Sequence, residues 1–207
     1  MADPTKRGPF TVTSSEIVYR NPWIQVREDR VVNDSGREGL WGIIEMTPGS
    51  TVLALDNDLN AYLVREYKYA VDRQTVELVS GGLDDGETPL DGAKRELKEE
   101  LGLEAAEWID LGVVDPFTTA IRSPNHMFVA IGISHGEAST DEWERIELVK
   151  MPYPRVLAAA MSSEITHAAS ALCVIKSYHA LMQHPTYAKR LGDLAIAESF
   201  RFSSTSY

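Results

Sequence analysis

Gly81-Gly82-Leu83-Asp84-Asp85-Gly86-Glu87-Thr88-Pro89-Leu90-Asp91-Gly92-Ala93-Lys94-Arg95-Glu96-Leu97-Lys98-Glu99-Glu100-Leu101-Gly102-Leu103 decides how the chain is read. Glycines and aspartates open it as a loop. Thr88 is a good N-cap, Pro89 suits the first helical position and Asp91 completes a capping box. Ala93, Leu97 and Leu101 then recur on one face, and Gly102 is the stop. The expected helix carries Glu96, Glu99 and Glu100 at i, i+3 and i+4, which puts three carboxylates on one side of it. Three like charges so close repel one another, and Arg95 and Lys98 offset them only in part. Rigidly spaced oxygen donors are what Mg²⁺ or Mn²⁺ requires. A bare glutamate run is more often a solvated face, so the rest of the segment has to decide.

It reads Gly81, five residues, Glu87, seven residues, then Arg95-Glu96-Leu97-Lys98-Glu99-Glu100-Leu101-Gly102-Leu103. A chance match to all these positions is on the order of 10⁻¹⁰ per start, from average residue usage. In that order the residues resemble the Nudix box, with every position filled, and the chain resembles Nudix hydrolases. The resemblance implies an α/β fold, an α/β/α sandwich around a mixed sheet. It implies metal ligands at Glu96, Glu99 and Glu100 and a backbone carbonyl at Ser80 or Gly81. Arg95 would orient the glutamates, Glu87 would brace the loop and Gly102 would end the helix. Two to three Mg²⁺ (or Mn²⁺) ions per site are expected.

The flanks are similar to the ADP-ribose pyrophosphatase branch over about residues 15–182. Arg20-Asn21-Pro22-Trp23-Ile24 looks like part of its N-terminal lobe. Leu63-Val64-Arg65-Glu66-Tyr67-Lys68-Tyr69 looks like its substrate-contacting strand, and Glu77-Leu78-Val79-Ser80-Gly81-Gly82 like the approach to the box. Asp141-Glu142-Trp143-Glu144-Arg145-Ile146 looks like its acidic loop. The resemblance implies Glu142 as the catalytic base, with Glu99 and Arg95 beside it, and Glu144 as a late metal ligand. It implies Arg65, Trp23 and Glu77 on the substrate. Pro116 breaks the pattern, because no glycine follows it in Asp115-Pro116-Phe117-Thr118-Thr119. The implied reaction is hydrolysis of the pyrophosphate bond of a nucleoside diphosphate sugar, ADP-ribose going to AMP and ribose 5-phosphate. Another sugar, such as that of GDP-mannose, is the alternative. A ligand-binding regulator on the same scaffold is the third reading, disfavoured because the box is intact.

Composition bounds the rest. The 207 residues carry a net charge of −11, which argues against nucleic-acid binding. The lone cysteine, Cys173, lies in an apolar run and reads as a buried thiol in a reducing, cytoplasmic setting. No apolar run is long enough to span a bilayer. Along the chain, 1–9 read as a disordered tail and 10–47 as a small β lobe. Residues 48–185 read as the catalytic domain and 186–207 as a C-terminal tail. Strands are expected at Trp108–Val114, Met127–Ile133 and Arg145–Met151, and helices at about Tyr153–Met161 and His167–Met182. His167 is expected to make a local hydrogen bond or a cap. A lobe as small as 10–47 buries little surface alone. In the resembled branch it makes a homodimer, with Trp23 or Trp41 in the interface.

Overall fold

The computed structural model describes residues 5–136 and 145–191. In chain order the strands are β1 (Thr5–Arg7), β2 (Phe10–Arg20), β3 (Ile24–Asn33), β4 (Glu38–Met46), β5 (Gly49–Leu55) and β6 (Asn60–Lys68). They continue with β7 (Arg73–Glu77), β8 (Val79–Gly82), β9 (Leu103–Val114), β10 (Ile121–Arg122), β11 (Asn125–His135) and β12 (Glu147–Pro152). The helices are α1 (Pro89–Leu101), α2 (Tyr153–Met161) and α3 (Ala168–Gln183). The chain divides into two compact units, Met1–Pro48 with Asp115–Pro124, and Gly49–Val114 with Asn125–Tyr207.

The first unit is one sheet in the order β1-β2-β3-β4-β10. Asn33 makes its tight turn, the Oδ1 accepting from the backbone of Ser35 and Arg37, while Gly36 sits at φ 81°. Asp29 is the buried polar centre. Burial pushes its carboxyl up, but hydrogen bonds from Ser15 and Arg27 outweigh that and leave it below its ordinary value. Two expectations are corrected here. Residues 5–7 are not tail: Thr5 to Arg7 pair antiparallel with Val12 to Phe10, so the strand signal simply begins before the apolar pattern does. The lobe is also not one continuous segment, because Ile121 and Arg122 return to pair parallel with Ile44 and Glu45. The sheet exposes Ile17, Val18, Tyr19, Leu40, Trp41 and Met46, and the turn before β3 exposes Trp23, each over 40% accessible.

The second unit is a mixed sheet in the order β12-β6-β5-β11-β9, with β7 on β6 and β8 on β5. β11 runs parallel to β5 and antiparallel to β9. β5 is buried along its whole length because it is covered on both sides. Its alternation sorts two cores. Val52 and Ala54 join Ala93, Leu97 and Leu101 of α1. Leu53 and Leu55 join Tyr153, Val156 and Leu157 of α2 and Cys173, Val174 and Leu181 of α3. This is the expected α/β/α layering. Cys173 is fully buried, which pushes its thiol up to about 12, so it is packing and not a nucleophile. The expected C-terminal tail starts too early, since Tyr187 and Leu191 are buried in the α2–α3 core. No described helix is long and apolar enough to cross a membrane.

Candidate functional site

α1 forms where the caps require it. The Asp91 N–H donates to Thr88 Oγ1 at 3.2 Å, Pro89 begins the helix, and Gly102 at φ 61° closes it with its N–H on Leu97 and Lys98 carbonyls. Burial of Ala93, Leu97 and Leu101 fixes the rotation of the helix against the sheet. That rotation lays Glu96 against Gly81 of β8. Ser50 Oγ donates to Pro89 O at 2.7 Å and ties the start of the helix to β5.

Arg95 organises the box. Its Nε donates to Glu87 Oε1 at 3.0 Å, and its Nη1 donates to Glu96 Oε1 at 2.7 Å and Glu99 Oε2 at 3.0 Å. Its Nη2 donates to Gly82 O at 2.7 Å and Glu87 Oε2 at 3.0 Å. The fork of donors suits such multiple recognition, which an ammonium could not supply. The bond to Glu87 is the main reason the guanidinium is held even more firmly charged than usual. Reciprocally, Arg95 and the Asp84 N–H hold the Glu87 carboxyl below its ordinary range. Asp84 Oδ2 lies 3.6 Å from the same guanidinium, a partner the sequence did not reveal.

Gly81 is required by closeness. A Cβ there would fall on the Glu96 carboxylate, well inside van der Waals contact. The glutamate therefore lies directly on the backbone of β8, where a carbonyl and carboxylates can share one cation. Ser80 engages Thr51 Oγ1 at 2.7 Å and Ser50 O at 3.2 Å through its hydroxyl, so its side chain supports the strand. Glu100 Oε2 is buried. Among the described residues no three acidic, histidine or cysteine side chains already converge as a metal cage; Glu96 and Glu99 are drawn to Arg95. The donor set is nonetheless all hard oxygen, and the glycine cradle leaves no side chain in the way.

The other expected residues fall as follows. Arg65 on β6 pairs with Glu147 of β12 at 2.9 Å and is half-buried. Glu77 is buried and lies 3.6 Å from His167 Nδ1. Nearby, Lys68 is lowered by burial but raised on balance by Glu66, Glu77 and Glu100. His167 bonds locally, its Nδ1 lying 2.8 Å from Ser170 Oγ, which in turn accepts from Leu78 N at 3.0 Å. That relay from α3 holds the strand leading into the box, and no sequence spacing announced it. Trp23, 73% accessible, belongs to the first unit. Glu142 and Glu144 lie outside the described residues.

Comparison with known proteins follows the same division. A nucleoside diphosphate sugar hydrolase N-terminal domain matches residues 10–44, and a NUDIX domain matches 46–168. The chain is 28% identical over 148 residues to a methanol dehydrogenase activator of Bacillus methanolicus, covering 69% of this chain and 78% of that one. It is 32% identical over 113 residues to an ADP-ribose pyrophosphatase of Mycobacterium tuberculosis, covering 53% of this chain and 55% of the relative, about half its length. A crystal structure of an ADP compounds hydrolase superposes with a TM-score of 0.76 at 20% identity, over 88% of this chain and 99% of that one, and shares its fold.

Proposed function

The chain belongs to the Nudix family and is a Nudix pyrophosphohydrolase acting on nucleoside diphosphate sugars, and from that premise we propose that its substrate is ADP-ribose, cleaved to AMP and ribose 5-phosphate. The observation that carries the reading is the glutamate set bound to Arg95 and laid against Gly81. Nudix hydrolases generally use divalent metal ions; here Glu96, Glu99, Glu100 and the carbonyl of Ser80 or Gly81 are the proposed ligands, for two to three Mg²⁺ or Mn²⁺. Such ions supply charge neutralisation on the diphosphate and a more acidic water.

The chain's own residues do the rest. Arg95 keeps Glu96 and Glu99 in place, so that little reorganisation is left for the reaction itself. Glu87 holds Arg95. Arg65, whose exposed pair with Glu147 is weak, turns to a phosphate oxygen. Glu142 removes the proton from the attacking water, and Glu144 completes the metal shell. Glu77 and Trp23 are the further proposed substrate contacts. A cytoplasmic location and the absence of nucleic-acid and membrane partners complete the reading. A panel of nucleoside diphosphate sugars, GDP-mannose included, with a phosphate-release readout tests it. ADP-ribose is expected to show the highest kcat/KM; a tenfold preference for another sugar would replace it.

The same reading includes a homodimer. Six large apolar side chains of the first unit's strands, Ile17, Val18, Tyr19, Leu40, Trp41 and Met46, are over 40% accessible, and exposed apolar surface that runs together into a patch marks an interaction site. A two-fold pairing through Trp23 or Trp41 would cover them. Sedimentation at micromolar concentration is expected to give about 46 kDa, twice the 23.0 kDa of one chain. A monomer with full turnover would reject this assembly.

A further inference from the structure

α1 has a second working flank. With 3.6 residues per turn, Lys94 and Lys98 lie roughly 120–160° around the helix from Glu100 and Glu96. On their side two hollows adjoin and share Trp108. One, of about 360 Å³, is walled by Leu90, Trp108, Asp110, His126 and Phe128 against the start of the helix. The other, of about 300 Å³, lies between Lys94, Arg95 and Lys98 and the first residues of β9. Each is the size of a small-ligand pocket, and all their walls belong to the second unit.

The two ends differ in chemistry. At one end Trp108 packs edge-on to Phe128, with centroids 6.3 Å apart and planes at 77°, and it stays half-buried, so part of the indole is open to a planar ring. Asp110 and His126 stand beside it. β9 carries an irregularity there: Phe128 pairs with Asp110 but His126 pairs with Val113, which leaves an extra residue on β9. Gly112 takes φ 82° at that point and donates its N–H to Asp110 Oδ1 at 2.7 Å. Bulges of this kind re-aim side chains at sites, and this one fixes a carboxylate at the rim of the hollow. At the other end Lys94 is exposed. Among the described residues Lys98 pairs with Glu104, at 2.8 Å with both side chains 62% accessible, a pair that an anion displaces easily. From Leu90 the helix rises roughly 6 Å to Lys94 and 12 Å to Lys98, on the scale of a nucleotide from base to phosphate.

We propose that this groove is a second nucleotide site, binding a purine nucleoside monophosphate with its base on Trp108 and its phosphate on Lys94 and Lys98. A carboxylate only accepts hydrogen bonds. Guanine offers two adjacent N–H donors to Asp110 where adenine offers one amino group, so GMP is preferred to AMP. Arg95 lines the same groove while gripping Glu96 and Glu99, which couples occupancy to the metal-holding side of the helix.

The test is calorimetric titration of the full chain with GMP in EDTA, with AMP and ribose 5-phosphate as comparison arms. One GMP per chain is expected, bound more tightly than AMP and much more tightly than ribose 5-phosphate. Lys94→Glu is expected to weaken GMP at least tenfold, roughly the loss of one charge-assisted contact. Asp110→Asn, which can still accept from Gly112, is expected to erase the preference for GMP over AMP. Both variants should hydrolyse nucleoside diphosphate sugars as the parent does. No heat with millimolar GMP, equal binding of ribose 5-phosphate, or undiminished binding by Lys94→Glu overturns the proposal. GMP binding in a chain that hydrolyses no sugar nucleotide would instead overturn the catalytic reading alone.

Discussion

Glu100→Gln is expected to fold with an unchanged melting temperature and to turn over roughly two orders of magnitude more slowly, or worse, in saturating Mg²⁺. The substitution keeps the shape of the side chain and removes the negative charge from a carboxylate whose Oε2 is buried. An amide cannot match a carboxylate as a ligand for a hard divalent cation. The parent should lose turnover in EDTA and regain it with Mg²⁺ or Mn²⁺. Steady-state kinetics with a metal titration separate the outcomes. A rise in the metal concentration needed, with kcat falling, fits a ligand. Full activity of the parent in EDTA rejects the metal reading altogether.

Gly81→Ala should be nearly as damaging, for a geometric reason. The added methyl would overlap the Glu96 carboxylate, so Glu96 must swing off β8 and weaken its 2.7 Å bond to Arg95. Displacement of a catalytic group by about 1 Å can cost on the order of 100-fold in rate, and that loss is expected in kcat/KM. Adding Glu96→Asp to Gly81→Ala shortens the side chain by one methylene and should recover part of the lost metal affinity. A single Gly81→Ala variant with parental kinetics would show that the close approach is packing only.

These effects explain why the site was so legible. The box residues lie within 23 positions of one another, and a helix turns spacing into geometry directly. Thr88, Gly102 and the apolar row Ala93, Leu97 and Leu101 therefore placed Glu96, Glu99 and Glu100 without any knowledge of the sheet. The alternation of Val52 and Ala54 with Leu53 and Leu55 likewise matched a strand with helices on both sides. What stayed hidden depends on contacts between distant segments. Ser50 reaches Pro89, Ser170 reaches Leu78, and Arg65 meets Glu147. Each is an ordinary polar residue whose partner is set by tertiary register, which no local pattern encodes. The strand at Thr5–Arg7 was missed for the same reason. Its residues are polar and exposed, and pairing with β2 makes them a strand.

The return of Ile121 and Arg122 to β4 has a consequence for how the chain is made. The first unit's sheet lacks its last strand until the ribosome has released the polypeptide past residue 124. By then every strand of the second unit's sheet up to β9 has already emerged. Domains usually mature from the N-terminus outward as synthesis proceeds, but here the N-terminal sheet must wait, its β4 edge open, for a segment that follows the glutamate helix. Such an edge invites wrong pairing. A nascent chain stalled near residue 110 would therefore be more susceptible to protease in its first 48 residues than one stalled after 124.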